Sequence, residues 1–312
     1  MLCARLCRLG RCLKRERKAD KMSTLDVLFS GFFRGDSSAG RSEEERIADI
    51  LKIAESCPTG KKVLDDARER HSRLKIRMVP GMKHMGGYNS RGRTISLNPS
   101  FCDEKLVTTL IHEASHSLQD EDIFERANLK SMIMATRACE ADASAHEAAA
   151  AFEIGGKVRD CFAENHSQIL KAYENEISLR GNPNSALAEA FKSWYDNKSY
   201  VALYDDRVLA YARKKDYVRP GTVFSADRIL KAAVSPDKDG KRYIEDSASF
   251  LYEQRFLTLS RKTAFKGRYT GFLCSDRSLT ECYSERKDGS IASPKVTGAE
   301  LSAFVRNKGR QT

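Results

Sequence analysis

Five residues constrain this chain more than any others: His112-Glu113-Ala114-Ser115-His116. They lie inside a run, Lys105–Gln119, in which Val107, Leu110, Ile111, Ala114 and Leu118 recur at helical spacing. Two histidines four residues apart leave a helix from one face, so they can take two corners of a tetrahedral zinc site. The glutamate between them can reach water held on the metal and serve as general base. Asp103 is placed to cap the helix, and Arg93–Pro99 upstream reads as a strand closed by a proline turn. A surface helix with two solvated histidines is the plain alternative. The flanking Leu110 and Ile111 argue instead for a buried helix.

A hydrolytic zinc site usually takes three protein ligands and leaves one position for water. No third histidine follows at short spacing, where Glu121, Asp122 and Ile123 stand instead, so the third ligand is expected from another element. The next helical run, Glu125–Ile154, carries alanine at 138, 141, 143, 145 and 148 to 151, and a helix so small all round packs closely on its neighbours. A carboxylate inside it is costly unless it pairs or binds a metal. Glu140 is the first choice and Asp142 the competitor. They point about 200° apart around the helix, so they cannot face one metal together. The one not used as ligand is expected to orient a ligand histidine through its second ring nitrogen. His146 and Glu147 are further candidates, and ion pairing of these acids to Arg126 or Arg137 is the plain alternative. Tyr88 and His146 are candidate oxyanion donors. Gln119 is placed to support the site or to cap the helix end.

The stretch Leu110–Gln119, followed by Glu140-Ala141-Asp142-Ala143, resembles the gluzincin type of HExxH metallopeptidase (a zincin), in which two histidines and a downstream glutamate bind zinc. More closely, Thr59-Gly60, Leu74–Val79, Gly87-Tyr88, Ile95–Pro99, His112–Gln119 and Glu140–Ala143 are together similar to a bacterial metallopeptidase family of unknown function. That likeness covers roughly residues 45–155 and extends toward 205. It implies Zn2+ on His112, His116 and Glu140, with Glu113 as base, and a peptide or protein substrate of unspecified kind.

Composition bounds the rest. A chain of 312 residues with 41% hydrophobic and 31% charged residues can bury a large soluble core. No apolar run approaches the ~18 residues that span a bilayer. Of the net charge of +11, residues 1–21 supply eight Lys/Arg against Glu16 and Asp20, a balance of +6 that leaves +5 for the remainder. This basic start lacks the apolar core of an export signal, and Met22 is an alternative beginning. Nine cysteines, an odd number without CxxC pairs, suggest no disulfide framework and point to a reducing compartment. The expected location is cytoplasmic, or exported without a standard signal.

The expected architecture is α+β: a zincin-like core made of a small mixed sheet, the HExxH helix and a third-ligand helix, with a mainly helical C-terminal extension. Its expected parts are a basic segment and linker (1–43), the core (44–155), the extension (156–264) and a peripheral tail (265–312). Phe191, Trp194, Tyr195, Tyr200 and Tyr204 read as core, not as a base-stacking platform. The active cleft is expected between sheet and extension, with the strand Ile95–Leu97 as an edge that holds an extended peptide. The expected reaction is peptide-bond hydrolysis by zinc-bound water that Glu113 activates. The rival reading is a basic nucleic-acid- or protein-binding module in which zinc is structural or absent.

Overall fold

The computed structural model describes residues 40–120, 123–124, 127, 129–214, 224–236 and 240–244, together with the backbone of four short strands between 270 and 297. The basic start, Arg126, most of a helix expected over 243–264 and the end of the chain from 307 lie outside the described residues. The protein is α+β and mostly helical, with a small three-stranded sheet. The chain divides into two compact units, Met1–Leu118 with His146–Leu170, and Gln119–Ala145 with Lys171–Thr312.

In the first unit, α1 (Glu43–Ala54) opens with a capping box. The Glu45 amide donates to Ser42 Oγ at 3.1 Å, and the Ser42 amide donates back to Glu45 Oε2 at 2.8 Å. Three glutamates in the first turn suit the positive end of the helix dipole. Helix α2 (Pro58–Arg70) starts on a proline, whose missing N–H loses nothing at that position. Three four-residue strands follow: β1 (Lys75–Met78), β2 (Gly86–Asn89) and β3 (Thr94–Leu97). The order is β1-β3-β2, with β1 parallel and β2 antiparallel to β3.

The strand expected at the edge is therefore central. Ile95–Leu97 pairs on both sides, and the edges are β1 and β2. Ile95 and Leu97 alternate inward from β3 and are fully buried. They join Ile50, Leu64, Leu106, Leu110 and Ile111 in one apolar core, so the HExxH helix α3 (Asp103–Leu118) packs through the stripe seen in the sequence. Asp103 does not cap this helix. It sits in the first turn, and its carboxylate accepts from Arg46 at 2.6 Å and Arg41 at 2.8 Å. Arg46, itself buried, also donates to the carbonyls of Pro99 and Phe101, which fixes the loop that leads into α3. Helix α4 (Leu129–Ile154) has its last residues in this unit. Glu153 near its end accepts from the amide and hydroxyl of Thr59 at 2.8 and 2.6 Å. Helix α5 (Gly156–Arg180) begins here and breaks at His166, where φ is −128° and ψ is 29°.

The second unit holds the earlier part of α4, the end of α5, α6 (Pro183–Trp194), α7 (Lys198–Lys214) and α8 (Ala226–Ala233). Phe191, Trp194 and Tyr195 are buried in it, so these rings are core and unavailable for stacking on bases. Arg137 of α4 and Asp205 of α7 form a fully buried two-point ion pair. Within the stretch expected to be peripheral, β4 (Thr270–Leu273), β5 (Leu279–Glu285), β6 (Ile291–Ala292) and β7 (Lys295–Thr297) form an antiparallel sheet around β5. Strands of two to seven residues without clean alternation leave little periodic signal. Among the described residues no helix is long and apolar enough to cross a membrane.

Candidate metal centre

Helix α3 brings His112 and His116 to one face, one turn apart, as 3.6-residue geometry requires. Their Nε2 atoms are 3.0 Å from each other, with the rings edge to face at 84° and centroids 4.6 Å apart. The Nδ1 atom of His112 lies 2.9 Å from Glu147 Oε2. An ionised carboxylate only accepts, so Nδ1 carries the proton and Nε2 is left with its lone pair. Glu140 completes the group: one ligand atom from each of His112, His116 and Glu140 lies within 4.8 Å of the other two. His116 and Glu140 are buried at 5% and 3% exposure.

This donor set fits a divalent metal. Two nitrogens about 2.05 Å from one ion at a tetrahedral angle stand about 3.3 Å apart. The observed 3.0 Å is close to that spacing. Two imidazoles and one carboxylate are also the donor types that zinc accepts while keeping a position for water. A buried carboxylate beside two imidazoles is stabilised by a cation and expensive without one.

Glu140 and Glu147 are seven residues apart on α4, two turns along nearly the same face. Asp142 stands about 200° from Glu140 and has different company. It is buried and accepts from Gln119 Nε2 at 3.2 Å and from the Tyr243 hydroxyl at 2.8 Å. Burial, then the Asp142 charge, pushes the Tyr243 phenol well above its ordinary pKa, so it stays a donor. Gln119 also donates to the Cys139 carbonyl at 2.8 Å, one residue beyond the end of α3. Burial, then the charges of Asp142 and Glu140, push the Cys139 thiol well up, so it offers no thiolate. Arg137, considered in the sequence as a partner for these acids, is paired to Asp205.

His146 is half-buried and lies about 120° from Glu140 around α4, on the side of Asp142. Tyr88 of β2 is buried, and its hydroxyl lies 3.4 Å from His71 Nε2. That nitrogen is also 2.8 Å from the Ser117 carbonyl, which can only accept, so His71 donates. Burial pushes the Tyr88 phenol up, and it keeps its proton.

Glu113 is nearly buried, at 9% exposure, about 100° round α3 from His112. Strand β2 runs against it. A Cβ built on Gly86 would meet Glu113 Cγ at 3.2 Å and Thr109 Cγ2 at 2.5 Å. The Asn98 amide donates to the Met85 carbonyl, so 85 and 98 are a hydrogen-bonded pair of the antiparallel ladder. Alternation along the ladder then turns the N–H and C=O of Gly86 and Tyr88 away from β3, to the side of β2 where no strand pairs among the described residues.

Sequence reasoning named Glu147 only as a fallback ligand and missed Gly86. The seven-residue step from Glu140 was the available signal for Glu147. Gly86 reads locally as part of a turn.

A family model matches residues 33–220, more than half of the chain, a span that holds Gly86, Tyr88, His112, Glu113, His116, Glu140 and Glu147 but not Tyr243. Its description is "Putative metallopeptidase family (DUF6782)". Comparisons with curated proteins and with solved structures return no match.

Proposed function

The chain belongs to this metallopeptidase family, and from that premise we propose that it is a zinc-dependent peptidase of the zincin type, with His112, His116 and Glu140 as metal ligands and Glu113 as general base. The observation that carries the reading is the convergence of two Nε2 atoms 3.0 Å apart with a buried carboxylate in the same cluster. Bound zinc supplies Lewis acidity and a water acidified toward pKa ~7.

The protein's own part follows from its side chains. Glu113 takes a proton from the attacking water on its carboxylate and returns it to the amine nitrogen that leaves. The limited exposure of Glu113 keeps bulk water from diluting that transfer. The peptide lies extended along β2, the edge beside Glu113, where the N–H and C=O of Gly86 and Tyr88 face outward. Main-chain pairing of this kind holds a substrate with little regard to its side chains.

Elemental analysis and a peptide-library digest followed by mass spectrometry test the reading together. Wild type and Glu113→Gln should each hold about one zinc per chain, and only wild type should cleave. Cleavage by Glu113→Gln would overturn the mechanism, and a zinc-free wild type after reconstitution would overturn the site.

A further inference from the structure

The geometry points to Glu147 as the residue that positions His112: it accepts the hydrogen bond of the Nδ1–H, holds the ring with Nε2 turned to the cluster, and so sets the zinc affinity of the site. This inference rests on the zinc-site reading above and adds a residue that reading does not use.

Three observations carry it. The Nδ1 to Oε2 distance is 2.9 Å, and the two side chains are only 15% and 7% exposed. A hydrogen bond to an ionised acceptor in such low-dielectric surroundings is strong and directional. The same bond fixes the tautomer, because the proton on Nδ1 leaves the lone pair on the Nε2 that lies 3.0 Å from His116 Nε2. Finally, Glu140 and Glu147 share one face of α4, so a single continuous helix supplies a ligand carboxylate and an orienting carboxylate at fixed spacing. Asp142, placed for this role by its position in the sequence, is instead occupied with Gln119 and Tyr243.

The surroundings favour the assignment. His166 lies in the field of Glu147 and His112, at the break in α5, stacked on Phe162 at 4.8 Å and 15°. Burial lowers the pKa of His166 and keeps it neutral, so it brings no rival cation to the Glu147 carboxylate.

Glu153 makes a suitable control, since it sits on the same helix and its carboxylate holds Thr59 instead of a histidine. Zinc dissociation constants would be measured by competition with a chromophoric chelator for wild type, Glu147→Ala, Glu147→Gln and Glu153→Ala. Nitrogen NMR of histidine-labelled, zinc-free full-length chain would read the His112 tautomer. Glu147→Ala should bind zinc about 10–100-fold more weakly and lose the Nδ1–H form. Glu147→Gln keeps an acceptor without the charge, so it should keep the tautomer and fall between. Glu153→Ala should melt earlier with wild-type zinc affinity.

Wild-type affinity and an unchanged tautomer in Glu147→Ala would overturn the inference. A wild type that binds no zinc would sink the site reading, and the tautomer would still decide the positioning role: its loss in Glu147→Ala supports it, its persistence overturns it.

Discussion

Gly86 and Glu113 are in contact across the junction of β2 and α3, so close that a methyl on residue 86 would stand 3.2 Å from Glu113 Cγ and 2.5 Å from Thr109 Cγ2. Thr109 is β-branched, and its hydroxyl is tied to the Lys105 carbonyl at 2.8 Å, so it cannot rotate aside cheaply. Gly86→Ala must therefore move the strand or the Glu113 side chain. The expected outcome is a stability loss of about 1–3 kcal/mol and a fall in kcat, with zinc content unchanged because the histidines leave α3 elsewhere. Unfolding curves and zinc analysis of the variant check this; wild-type stability and turnover would show that the contact is slack.

The choice between Glu140 and Asp142 can be settled by stoichiometry. Glu140→Ala should lose zinc. Asp142→Ala should keep it and instead lose stability, about 1–3 kcal/mol, because the Tyr243 hydroxyl loses this carboxylate as acceptor and Gln119 Nε2 keeps the Cys139 carbonyl but loses its second acceptor. Elemental analysis beside thermal melts separates the two. Zinc lost only from Asp142→Ala would move the third ligand two residues.

What the sequence disclosed depended on whether the physics was local. The stripe through Val107, Leu110, Ile111 and Ala114 is a property of one helix, so α3 and the face of its histidines were legible, as was the clustering of Glu140 with them. Strand β2 was not, because glycine, here Gly86 and Gly87, is depleted in strands; Gly86 is required because α3 comes so near, which is a tertiary fact. The order β1-β3-β2 was hidden for the same reason: three strands of four residues carry no mark of which one is central. Asp103 looked like a cap until Arg46, 57 residues away in the chain, claimed it. The partner of His112 was likewise a choice among several acids on one helix that only a distance could make.

Arg137 and Asp205 offer a stability test remote from chemistry. Both are essentially unexposed, and the Nε to Oδ1 and Nη2 to Oδ2 distances are 2.8 and 2.5 Å. Burial raises the Asp205 pKa, and the Arg137 charge opposes that rise. Asp205→Ala leaves a buried guanidinium without this carboxylate, and should cost about 3–5 kcal/mol. Denaturant unfolding measures it; a loss under about 1 kcal/mol would mean the pair is solvated in solution.

His166 makes stability depend on pH in a predictable direction. Burial lowers its pKa below the ordinary 6.5. Above that value the ring is neutral whether the chain is folded or unfolded, and it contributes no pH dependence. As pH falls through it, the unfolded chain takes a proton that the folded chain refuses, so stability drops with acidification until the folded pKa is reached. The slope from this one group is at most ~1.4 kcal/mol per pH unit. Replacing the ring by an amide, His166→Gln, removes that proton from the balance. Urea unfolding of zinc-free wild type and variant, compared from pH 7 down to pH 5, should give a shallower acid slope for the variant. Equal slopes would mean that His166 is reached by water and titrates normally in the folded protein.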